Sequence, residues 1–206
     1  MLDLTKPFLE KGDALICFGD SITAGENSYV KYLQEALPDN RIINAGRPGD
    51  KTPWALTRFQ QDVLDKKPDA LHIALGANDA LVGRGCWADE PMVTADAYRC
   101  NLVWMAHLAH LNGVRKVSIA TPFGIEGEQF LAFGNRLQEY YLAARDAADR
   151  MGARLVPLDT LFVSLRKGAP PSERLVTKDG LHPLASRHQD IAQAILRAWH
   201  LNGAGE

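Results

Sequence analysis

A hydroxyl becomes a useful nucleophile when an imidazole can take its proton, and the imidazole works best when a carboxylate fixes its tautomer. In this sequence an aspartate and a histidine stand three apart in Asp179-Gly180-Leu181-His182-Pro183, and a serine follows an apolar run in Phe18-Gly19-Asp20-Ser21-Ile22-Thr23. Ser21, His182 and Asp179 can therefore serve as nucleophile, general base and orienting group. Taken singly, each block has a bland reading. An isolated serine after a strand is most often a turn or cap residue, and Asp179 with His182 can be a cap beside a surface histidine.

Acyl chemistry also needs donors aimed at the oxyanion that forms as a carbonyl is attacked. Asn44-Ala45-Gly46-Arg47-Pro48-Gly49-Asp50-Lys51-Thr52 contains glycines that can bring a backbone N–H close to a ligand, and Gly76-Ala77-Asn78-Asp79 offers a neutral side-chain amide. The alternatives are again ordinary: the glycines can simply make a turn, Thr52-Pro53 can start a helix, and Asn78 can close an Asx turn.

The elements that must position these blocks are readable from apolar patterning. Short runs rich in Ile, Leu and Val at Ala14–Phe18, Arg41–Asn44, Ala70–Leu75, Lys116–Ala120 and Arg154–Pro157 predict strands buried on both faces. Between them Val30/Leu33/Leu37, Leu56/Phe59/Val63, Tyr98/Leu102/Met105/Ala109, Phe133/Leu137/Tyr141/Ala144 and Leu184/Ile191/Ile195/Trp199 form stripes at helical spacing. Strands alternating with amphipathic helices define an α/β fold, a three-layer sandwich around a parallel sheet of about five strands. The serine, glycine and asparagine blocks then follow the first, second and third strands, where open parallel sheets place their ligands. The segment Ala77–Met92, with Gly83, Gly85 and Trp87, follows a strand end and can wall such a site, while Lys167–Glu173 reads as a surface loop.

The four blocks, in this order, resemble those of the SGNH hydrolases, also called the GDSL esterase and lipase family, from about Ala14 to Trp199. The resemblance implies a flavodoxin-like fold and hydrolysis of esters or thioesters without a cofactor. It makes Ser21 the nucleophile, with Asp179 and His182 completing the triad. It makes the Ser21 N–H, the Gly49 N–H and the Asn78 amide the oxyanion donors. Gly49 is preferred to Gly46 because it precedes Asp50. The resemblance also implies a serine on a less strained turn than the Gly-x-Ser-x-Gly elbow of the α/β-hydrolases, and an open site.

Composition narrows the rest. The 206 residues are 46% hydrophobic and 23% charged, which suits one globular domain over 1–206. The formal charge of −2 and the lack of a basic run argue against nucleic acid as a partner, and the lack of a long apolar stretch argues against stable membrane insertion. Cys17, Cys86 and Cys100 are odd in number and read as reduced thiols, and Met1–Asp13 lacks the apolar core of a signal peptide. A cytoplasmic protein is expected. No metal is expected: His107 and His110, even with Cys100, lack further ligands at recognisable spacing. Gly83-Arg84-Gly85 lacks the rest of a dinucleotide fingerprint, and Trp54, Trp87, Phe123 and Phe130 are ordinary core or interface aromatics.

The expected reaction is hydrolysis of a small ester, with a short-acyl or acetyl substrate preferred. Acyl transfer to another alcohol, lysophospholipase or thioesterase activity, and a catalytically silent flavodoxin-like binding module stay open. Oligomeric state is not encoded in any feature read.

Overall fold

A computed structural model describes residues 7–81 and 91–200, the side chains of 128–135 excepted; the Ala77–Met92 segment, Cys86, Gly83-Arg84-Gly85 and Trp87 thus fall wholly or partly outside the described residues, as do the side chains of Phe130 and Phe133. Five strands, β1 (Ala14–Gly19), β2 (Arg41–Gly46), β3 (Ala70–Ala74), β4 (Lys116–Ala120) and β5 (Arg154–Val156), form one sheet in the order β2-β1-β3-β4-β5. Every pairing is parallel, with Ala14 opposite Arg41, Leu15 opposite Ala70, Ala70 opposite Lys116 and Ser118 opposite Arg154. This is the doubly wound order of the flavodoxin-like class, and its direction reverses between β1 and β3.

Alternation along β1 explains the two hydrophobic layers. Ile16 and Phe18 pack with Phe59, Leu102, Met105 and Ala144, from α3 (Thr52–Asp62), α5 (Ala95–Leu111) and α6 (Glu128–Met151). Leu15 and Cys17 face the other way, toward Tyr29 and Leu33 of α2 (Tyr29–Ala36) and Ile191 and Ile195 of α8 (Ala185–Ala198). A period of two on a strand buried on both faces requires apolar residues at every position. Helix ends follow local chemistry. Ser28 and Thr94 cap α2 and α5 by accepting from Val30 and Ala97 N–H, Pro53 lies in the first turn of α3, and Gly152 ends α6 with φ +58°.

Three differences from the sequence reading concern detail. β2 runs on to Gly46, because Ala45 and Gly46 pair with Phe18 and Gly19. Leu37, Val63, Leu184 and Trp199, assigned to helical stripes, are the residues that flank their helices. A further helix, α7 (Leu158–Gly168), presents Leu158, Leu161, Phe162 and Leu165 to the α2/α8 layer and takes Lys167 and Gly168 out of the expected loop.

Two short helices complete the frame: α1 (Ser21–Ala24) directly after β1, and α4 (Ala77–Ala80) after β3. They flank the point where strand order reverses. The approach of β2 to α1 is so close that a Cβ on Gly46 would lie 2.3 Å from Ala24 N and 2.7 Å from Thr23 C. Both are backbone atoms, so no side-chain rotation relieves the clash. Gly46→Ala is expected to lose about 3 kcal/mol, a Tm fall of roughly 6–12 °C, measurable by thermal denaturation. An unchanged Tm would contradict the packing described.

Candidate active site

Asp20 organises the turn that presents Ser21. Its side chain accepts from Ile22 N–H at 3.0 Å, and its carbonyl accepts from the N–H groups of Thr23 and Ala24. The Ser21 N–H takes part in none of these bonds, as expected at the first position of a helix. No positive φ accompanies this: among the described residues, only Lys67 and His200 adopt positive φ without being glycine. The expectation is a serine turn less strained than the α/β-hydrolase elbow, and Ser21 is not among the residues with positive φ.

The histidine comes from a hairpin-like loop 161 positions away. Val176 and Pro183 form an antiparallel bridge, Thr177 N–H donates to His182 O at 2.7 Å, and Gly180 turns the loop with φ +77°. His182 Nε2 lies 2.8 Å from Ser21 Oγ, and His182 Nδ1 lies 2.6 Å from Asp179 Oδ2. The other Asp179 oxygen accepts from Thr177 Oγ1 at 2.7 Å, Leu181 N–H at 2.8 Å and His182 N–H at 3.0 Å. Partial burial opposes its ionisation, but these donors and the imidazole outweigh it and hold the carboxyl well below the usual carboxylate range. An ionised carboxylate can only accept, so Nδ1 carries the proton and Nε2 of the neutral ring is left to accept from Ser21 O–H. Side chains of His182 and Asp179 are 40% and 47% exposed, so this pair faces solvent.

The remaining blocks converge on the same strand ends. Arg47-Pro48-Gly49-Asp50 has the residue pattern of a type II turn: proline, then glycine at φ +81°, closed by Asp50 N–H on Arg47 O. Gly46 N–H is already engaged by Asn44 Oδ1 at 2.9 Å, and Asn44 Nδ2 holds Thr23 O at 2.7 Å. Asn44 and Gly46 therefore brace α1, and Gly49 occupies the turn. Asn78 is buried and donates one amide hydrogen to Asp50 O at 3.0 Å, which leaves its second N–H. Asp79 accepts from Thr52 N–H at 3.0 Å and from the Thr52 hydroxyl, and Asn101 Nδ2 donates to that hydroxyl at 2.9 Å. Burial pushes Asp79 up to about 6, the Thr52 bonds pulling the other way.

Arg58 is a residue that sequence reading missed. Buried on α3, it donates from Nε to Asp50 Oδ2 at 2.6 Å, from Nη1 to Ala45 O at 2.9 Å and Asp62 Oδ2 at 2.8 Å, and from Nη2 to Gly19 O at 3.0 Å. Its guanidinium lies 4.1 Å from the Phe18 ring centroid. One cation thus ties the end of β1, the end of β2 and the Gly49 turn. Thr177 was missed as well; only the folded loop brings its hydroxyl to Asp179.

Asp20 provides a test of electrostatics. Burial pushes its carboxyl up to about 7; the Ile22 N–H lowers it, Asp79 raises it, and His182 and Asp50 act in opposite directions. A folded value above the unfolded one near 4 means the neutral form is preferred in the fold. That contribution is fully present below about pH 4 and is lost as pH rises through 7. Asp20→Asn keeps an oxygen for Ile22 N–H and does not titrate. Its Tm relative to wild type is expected to rise between pH 4 and pH 8, by the equivalent of a few kcal/mol. A Tm difference independent of pH would sink this reading.

Other candidates take structural places. His107 is exposed on α5, and His110 Nδ1 meets Val114 O at 3.0 Å. Phe123 is buried against Phe162, and Trp54 is half-buried near Lys51. Among the described residues no group of three or more His, Cys, Asp or Glu is placed to hold a metal ion, and no helix is long and apolar enough to cross a membrane.

Residues 17–189 match the GDSL-like lipase/acylhydrolase family, and the chain belongs to it. It is an enzyme of the carboxylic ester hydrolase class. An acetylxylan esterase of Geobacillus stearothermophilus is 28% identical over 207 residues, covering 90% of this chain and 93% of that protein. An uncharacterized lipoprotein of Bacillus subtilis, YqeF, is 29% identical over 197 residues, covering 82% of this chain and 80% of that protein. Among solved structures, LAE5, described as an alpha/beta hydrolase enzyme from the metagenome of Lake Arreo, Spain, superposes with a TM-score of 0.83 at 26% identity, covering 95% and 99% of the two chains.

Proposed function

We propose that the protein is a serine esterase that cleaves short-acyl or acetyl esters through an acyl-enzyme on Ser21. The observation that carries this reading is the continuous line from Ser21 Oγ through His182 to Asp179, at 2.8 and 2.6 Å. As Oγ attacks the ester carbonyl carbon, its proton passes to His182 Nε2, and Asp179 stabilises the imidazolium. The carbonyl oxygen gains the negative charge, for which the Ser21 N–H, the Gly49 N–H and the second Asn78 N–H are the donors. Collapse expels the alcohol, which takes the proton from His182. Water, deprotonated by the same nitrogen, then attacks the acyl carbon and releases the acid and Ser21.

A short acyl group is favoured by the acetylxylan esterase among the relatives. We place the whole chain in one domain and, from its thiols, in a reducing compartment, with a soluble ester as its partner. A silent binding module is disfavoured by an imidazole already at hydrogen-bond distance from the hydroxyl it would activate.

Initial rates on p-nitrophenyl esters from acetate to long acyl chains test this, together with mass spectrometry after a fluorophosphonate probe. The expected result is fastest turnover on acetate and one adduct, on Ser21. Adding a second alcohol leaves free acid as the main product. A maximum at long chains would move the reading to a lysophospholipase or thioesterase. No turnover and no adduct would remove it.

A further inference from the structure

The loop that carries Asp179 and His182 is a narrow hairpin whose limbs meet through Leu184 N–H on Leu175 O and Thr177 N–H on His182 O. Beside its incoming limb lies the segment after β4, which carries Glu126. Its Oε2 accepts from Leu175 N–H at 3.0 Å and from Val176 N–H at 3.4 Å, so it takes the two donors at the base of the hairpin. Its own N–H donates to Gly180 O at 2.9 Å, between Asp179 and Leu181 at the tip. One residue thus grips both ends of the loop. Its side chain is 14% exposed, and Oε1 is held in turn by Arg166 Nη1 at 2.6 Å. Arg166 also donates to Glu173 O at 2.7 Å and Pro170 O at 2.9 Å, fixing the stretch that enters the hairpin. Ile125, the preceding residue, packs with Leu181 in a small apolar cluster beneath the tip.

We propose that Glu126, clamped by Arg166, is the positioning residue that sets the aim of the Asp179–His182 pair at Ser21; this rests on the triad reading above. Glu126 touches neither Ser21 nor His182 side chain in any hydrogen bond described, so it acts through the backbone of their loop. Outer partners that orient a metal-ligating histidine typically matter by about 10–100-fold, a scale we carry over to a histidine aimed at a serine, and a misplacement of about 1 Å in a reacting group can cost on the order of 10²-fold. A carboxylate holds Arg166 and the two N–H groups together through its two oxygens, a combination that an amide reproduces only in part.

The experiment compares wild type, Ser21→Ala, Glu126→Gln and Glu126→Ala on p-nitrophenyl acetate. It also follows the low-field proton signal of His182 Nδ1–H by NMR and Tm by thermal denaturation. Glu126→Ala is expected to lower kcat roughly 10–100-fold with KM within about threefold, and to weaken or broaden the low-field signal. Glu126→Gln is expected to fall between it and wild type, and serves alone if the alanine variant does not fold. Glu126 variants that lose Tm but keep kcat and the signal would make the residue a structural brace only and overturn the proposal. So would a rise in KM at constant kcat. Ser21→Ala separates the two levels of inference: if it stays active, the triad reading itself fails, whereas an inactive Ser21→Ala beside a fully active Glu126→Gln leaves the triad standing and overturns the positioning role of Glu126.

Discussion

Ser21→Ala is expected to lower kcat on short p-nitrophenyl esters by roughly 10⁴- to 10⁶-fold, with Tm within a few degrees of wild type. The size of the effect follows from the site's cooperation. Without the Oγ there is nothing for His182 Nε2 to deprotonate except water, and the contact at 2.8 Å disappears. The small effect on stability follows because Ser21 makes that one side-chain bond and sits half-buried at the start of a four-residue helix. Residues that act as a unit lose their effects together, so adding His182→Ala to Ser21→Ala is expected to cost almost nothing more. Rates for the two single variants and the double, with a matched no-enzyme blank, check this. A multiplicative loss in the double variant, or a Ser21→Ala rate within tenfold of wild type, would show that the two residues do not share one step.

The second large effect concerns Arg58. Arg58→Met leaves Asp50, Ala45 O and Gly19 O without their shared donor in the interior, and breaking a buried pair by removing one partner costs about 3–5 kcal/mol. A Tm fall of roughly 6–20 °C is expected. Burial already pushes the Asp50 carboxyl above its ordinary range, with the Arg58 bond and charge pulling it down, so loss of the cation drives it further toward the protonated form. Arg58→Met/Asp50→Asn is therefore expected to recover part of the stability, a coupling that a double-mutant cycle measures directly. Turnover is expected to fall too, because Asn78 is aimed by Asp50 O on the same turn. Arg58→Lys is expected to rescue little, since a compact ammonium cannot span Asp50, Ala45 O and Gly19 O as a planar guanidinium does. Full stability in Arg58→Met would show that water satisfies these groups equally well.

How much of this was legible in the sequence depended on the range of the physics involved. Strands such as Ala14–Gly19 announce themselves because burial on both faces leaves only apolar choices. The four polar blocks were legible because each is local, a few residues with their own turn chemistry, and the blocks keep their order. Arg58 was not, since on a helix stripe it looks like any solvated charge. Its partners Gly19 and Ala45 are 39 and 13 positions away and are carbonyls, which have no sequence signature. Glu126 is hidden for the same reason. The helix Leu158–Gly168 is a different case: Leu158, Leu161, Phe162 and Leu165 carry its apolar spacing, but it is short and lies directly between the strand end at Pro157 and the polar stretch from Lys167.

The stacking of Phe8 on Trp199, at 4.9 Å between ring centroids, with Phe8 N–H on Trp199 O, joins the first described segment to the last helix. On the ribosome this contact cannot form until Trp199 has emerged. The encounter of Ser21 with a histidine 161 positions downstream is limited in the same way. Such long-range closures are slow steps in folding, since chain entropy must be spent before they are rewarded. A nascent chain that stops short of this loop therefore carries Ser21 out of reach of His182, and the two side chains meet only once the segment around His182 has been made.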